Sequence, residues 1–110
     1  MISELLTDAE HLLDLREIPW PRGCALLGRM ALEEWVRGHS ALLDGPLVHA
    51  SMRSQLLCIA VQVGRAQAAR ANYLWSALSA ACHHHAYELS PTKQEVAVLI
   101  REVRDLVMPT

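Results

Sequence analysis

The stretch SPTKQEVAVLIREVRDLV, residues 90–107, spells out a whole helix in its own letters. Val96, Leu99, Ile100, Val103, Leu106 and Val107 recur at steps of three and four, which lines side chains up on one face of an α-helix. Glu95, Arg101, Arg104 and Asp105 fall largely on the opposite face. Two start signals overlap ahead of the apolar stripe. Ser90-Pro91 reads as an N-cap followed by proline at the first helical position. Thr92 with Glu95 three residues later reads as a capping box. A helix is therefore expected over about residues 91–107, with its first residue fixed to within about two positions.

Moving outward from this helix, the same period recurs along the chain. Over 65–85, Leu74, Leu78, Ala81 and His85 repeat at helical spacing, with Tyr73 and Ala77 beside them. Ala66, Ala68, Ala69 and Ala71 favour helix and allow close approach of a neighbour. Over 48–63, Met52, Leu56, Ile59, Ala60 and Val63 share a face. The run Leu56–Val61 is apolar nearly all round, which predicts that this helix lies at the centre of the bundle. Gly64 ends or bends it. Over 22–42, Cys24, Leu27, Ala31 and Trp35 form a stripe widened by Leu26, Met30 and Val36. Glu33 and Arg37 are spaced to pair at i, i+4. Asp44-Gly45-Pro46 is a turn signal. Over 2–16, Ile2, Leu5, Leu6, Ala9, Leu12 and Leu13 make one face. That helix stops ahead of Ile18-Pro19-Trp20-Pro21, because proline disfavours helix in the residue before it. Trp20 is expected to plug the bundle end. No segment alternates with period two, so the fold class is all-α, a four- to five-helix bundle formed by residues 1–110 as a single domain.

Composition limits the functions available. The 110 residues are 52% hydrophobic and 20% charged, which leaves apolar surface in excess and points to a homodimer. Net charge is −2, with Lys93 the sole lysine, so bulk electrostatics give no support for RNA binding. Cys24, Cys58 and Cys82 are odd in number and far apart, which is no disulfide framework. No apolar run is long enough to span a bilayer. Met1-Ile2-Ser3-Glu4 lacks the basic start of a signal peptide, so a cytoplasmic location without membrane association is expected.

Chemistry concentrates at Cys82-His83-His84-His85. These residue types ligate zinc, copper or nickel, which raises the reading of a small metal-responsive protein. Yet helical neighbours point about 100° apart, so three adjacent histidines do not converge on one ion. Packing accounts for them as well: one histidine in the core, the others near a helix C-terminus, where the dipole favours a cation. A ferritin-like di-iron centre needs a Glu-x-x-His motif, and none occurs. Cys82 beside His83 is no nucleophile–base pair, since helical neighbours diverge. No catalytic residue, metal ligand or cofactor is assigned. The candidate binding residues are His83, His84, His85 and Tyr87, with Trp35 and Trp75 as anchors for a protein partner.

Two segments resemble HEPN domains. Arg29-Met-Ala-Leu-Glu-Glu-Trp35 is similar to the signature of their early long helix, and Ser76-Ala-Leu-Ser-Ala-Ala-Cys-His-His84 to the later helix that ends in histidine. The resemblance spans roughly residues 22–107. It implies an all-α homodimer and, in the active ribonucleases, an Arg followed by His after four to six residues. This chain departs there. Positions 76–80, where that Arg would stand, hold Ser76, Ala77, Leu78, Ser79 and Ala80. The expected function is thus a non-enzymatic helical interaction module, with a divergent HEPN-type ribonuclease at His83–His85 as the alternative.

Overall fold

A computed structural model describes residues 1–14, 21–83 and 91–109. Among them the chain is all-helical: α1 (Ile2–Asp14), α2 (Pro21–Leu43), a 3₁₀ turn (Gly45–His49), α3 (Met52–Cys58), α4 (Ala60–Val63), α5 (Arg65–Cys82) and α6 (Lys93–Val107). Trp20 and the end of the first predicted helix lie outside the described residues, as do His84, His85, Tyr87 and Ser90.

The centre of the bundle is α2, which packs against α1, α5, α6, the 3₁₀ turn and α3. Its buried residues explain why it can sit there. Cys24, Ala25, Gly28 and Ala31 are small, and Leu32 and Val36 fill the space beyond them. At Gly28 a Cβ would overlap Ile100 Cδ1, so the Ile100 side chain of α6 takes up the space beside this glycine. Ends of helices fix their directions. Cys82 Sγ lies 4.0 Å from the Arg22 carbonyl oxygen, which puts the end of α5 at the start of α2. Lys93 is near enough to bear on the Cys24 thiol, which puts the start of α6 at the same end. Hence α5 runs antiparallel to both α2 and α6.

The predicted central helix over 48–63 is corrected by the structure. That segment is a 3₁₀ turn followed by two short helices, α3 and α4, divided at Ile59. It buries Gln55, Leu56 and Ile59 and leaves Leu57 76% and Val61 83% exposed. An apolar run shows that a helix has no polar face, but α3 has only seven residues and cannot span the bundle. Gly64 separates α4 from α5 with φ +89°, a conformation that glycine alone adopts without strain. At α6 the Thr92 register prevails: its side chain accepts from the Glu95 N–H at 3.0 Å, and the helix begins at Lys93. Val96, Ile100, Val103 and Leu106 are buried, each worth about 1.5–3 kcal/mol over an exposed position. An Arg104–Glu10 ion pair ties α6 to α1.

Candidate functional site

Two features stand on opposite sides of α5. The first is a polar network between α2 and α5. Glu33 is nearly buried, with 14% of its side chain exposed. Its Oε2 accepts from Arg29 Nε at 3.1 Å and from Trp75 Nε1 at 3.0 Å. Arg29 also lies over the Trp75 ring, 5.6 Å from the centroid. Helical spacing makes this arrangement. Arg29 and Glu33 are one turn apart on α2, and antiparallel packing brings Trp75 of α5, and then His83 just past its end, alongside them. Arg29 Nη1 lies 3.1 Å from His83 Nε2. A guanidinium only donates, so in this contact His83 Nε2 takes the acceptor's role. The Glu33–Arg37 pair predicted from spacing is a looser contact at 3.9 Å. Burial pushes the Cys82 thiol up from its ordinary value; Arg29 opposes this, Glu33 adds to it, and Arg22 opposes it.

The second feature is an apolar groove between α5 and α6, with a volume of about 630 Å³. Ala77, Ala80 and Ala81 of α5 line it opposite Val96, Val98 and Leu99 of α6, and Tyr73 stands at one end. Small side chains make the groove: alanines at one-turn intervals cannot reach across to α6. Glu95 and Glu102 form its rim. Tyr73 is 61% exposed and Val98 is exposed as well. On the far flank of α5, Leu57, Ala60, Ala68 and Ala69 line a smaller cleft of about 200 Å³. The outer face of α5, which carries Arg70, Asn72, Tyr73 and Ser76 among exposed alanines, thus lies between two apolar depressions.

Sequence-level candidates fall in three places. His83 and Trp75 meet in the polar network, joined through Arg29 and Glu33. Trp35 is half-buried against the core and packs edge-on to His39, with centroids 4.7 Å apart. His84, His85 and Tyr87 lie outside the described residues. Among the described residues no three His, Cys, Asp or Glu side chains are grouped to hold a metal ion, and no helix is long and apolar enough to cross a membrane. Spacing alone missed Arg29, because its partner His83 is 54 positions away. It also passed over Tyr73, whose position beside an alanine stripe was the available signal. The chain matches no family model, no curated protein and no solved structure.

Proposed function

We propose that this chain is a homodimeric, non-enzymatic helical interaction module, in which one copy covers the outer face of α5 on another and the pair binds a protein partner. The observation that carries this is the α5–α6 groove, an apolar floor left open beside an exposed tyrosine. An open apolar groove gives the apolar side chains of a second chain a place to leave water. Small residues favour helix-to-helix approach, and the acidic groove rim disfavours a phosphate backbone. Leu42 and Leu57, both more than 70% exposed, are apolar surface for the further partner. Copurification tests the dimer: an affinity-tagged copy coexpressed with an equal amount of untagged copy should retain it, at about one untagged chain for every two tagged ones. Failure to retain it at micromolar concentration would sink the proposal.

One observation favours a second reading, a divergent HEPN-type ribonuclease. Arg29 stands 3.1 Å from His83, so an arginine–histidine pair is assembled from two helices where the linear motif is missing. Such a pair could stabilise phosphate charge and move a proton. Incubation with single-stranded RNA separates the readings. Intact RNA agrees with the interaction module. Cleavage that vanishes in both Arg29→Ala and His83→Ala would replace it with the ribonuclease.

A further inference from the structure

We infer that two copies pair antiparallel across α5, each seating its Tyr73 in the α5–α6 groove of the other and setting its Arg70 against the other's Glu95. This rests on the homodimer proposed above and names its geometry. The argument begins with positions on α5. Arg70, Tyr73, Ala77 and Ala80 succeed one another at steps of three and four, so they share one side of the helix, the side that faces the groove. A two-fold axis crossing α5 near Trp75 exchanges position 73 with 77 and position 70 with 80. The bulky knob of each copy then lands on the alanine floor of the other, and a knob and a hole on the same face are self-complementary in the sense that a two-fold requires.

Charge selects the antiparallel form. Because α6 runs opposite to α5, Glu95 on the groove rim lies at the level of Ala80 and Ala81, where Arg70 of the second copy arrives. Arg70 is exposed and has no ion-pair partner among the described residues, and the same is true of Glu95. A parallel two-fold would instead lay the groove over the α3–α4 flank of the second copy, and residues 45–63 hold no carboxylate for Arg70 to meet. Only the antiparallel form satisfies both the knob and the charge.

The test uses the full chain and sedimentation of four variants, with circular dichroism to show that each is folded. Arg70, Tyr73 and Glu95 are all exposed, so none is needed to fill the core. Tyr73→Ala should weaken the dimer about 30-fold or more, as loss of a central aromatic anchor does. Arg70→Glu and Glu95→Arg should each weaken it about tenfold, and the two together should return it to within about threefold of the native chain. A native chain that dimerises while Tyr73→Ala does so just as tightly, or while the charge swap fails to restore, overturns this geometry and leaves the homodimer standing. A native chain that stays monomeric overturns both.

Discussion

Glu33 holds three groups with one carboxylate: the Arg29 guanidinium and the Trp75 indole by hydrogen bonds, and Arg37 at longer range. Replacing it by alanine strands an indole N–H and an arginine in a half-buried place. Glu33→Ala should therefore destabilise the fold by about 1–3 kcal/mol, read as a lower urea midpoint. Glu33→Gln, which keeps one acceptor, should lose less. Trp75 fluorescence should shift red in the alanine variant as the indole becomes wetter. The cysteines give a pH dependence of definite sign. Burial pushes both Cys24 and Cys82 above the ordinary thiol value of 9.0. Above that pH the unfolded thiols ionise while the folded ones stay protonated, so the unfolded chain is favoured. Stability should be fully retained below about pH 9 and fall as pH rises further, with a smaller fall in Cys24→Ala. Of the three thiols Cys58 is the exposed one, so it should be the first alkylated in the native state at neutral pH. Sequence made His83 and Trp75 legible as candidates, because unusual residue types in a run draw notice. It could not reach the Arg29–His83 contact, since that depends on how far two helices slide past each other.

At the scale of elements, periodicity served where a helix is long and one-sided. In α6 every residue of the buried set belongs to the stripe read from the letters, and a threonine cap fixes its start. The 48–63 segment fails that logic. Its hydrophobicity points to depth, but three breaks decide the outcome: Ser51 caps a new helix, Ile59 divides it and Gly64 ends it. Gln55 holds the pieces in place. Its Nε2 donates to the Val48 and Ala50 carbonyls at 3.2 and 2.9 Å, pinning the 3₁₀ turn to α3. Gln55→Ala should cost about 1–3 kcal/mol and speed amide exchange over residues 47–58 more than in α2. Gly64→Ala should cost about 1–3 kcal/mol by backbone strain alone, since open space surrounds the site. Differential scanning calorimetry of the two variants reads both effects. The bundle's centre was legible only in hindsight: small residues spaced along α2 mark it, where large apolar ones mark an ordinary face.

The whole molecule is generous with surface. A globular monomer of 12.2 kDa exposes about 6,100 Å², whereas this chain exposes 6917 Å². Its radius of gyration, 14.1 Å, also exceeds the value near 13 Å for a chain of this length. Helices α1 and α5 each pack on α2 and α6, and α5 keeps an uncovered outer side carrying Tyr73. A second copy there removes the groove and Tyr73 from water together. Sedimentation equilibrium of the native chain over a range from about 1 to 100 µM measures this directly, at the concentrations where interfaces of standard size assemble. A mass of twice 12.2 kDa, falling to 12.2 kDa when Tyr73 is replaced by arginine, is the expected result. A mass of 12.2 kDa for the native chain throughout that range would contradict the homodimer.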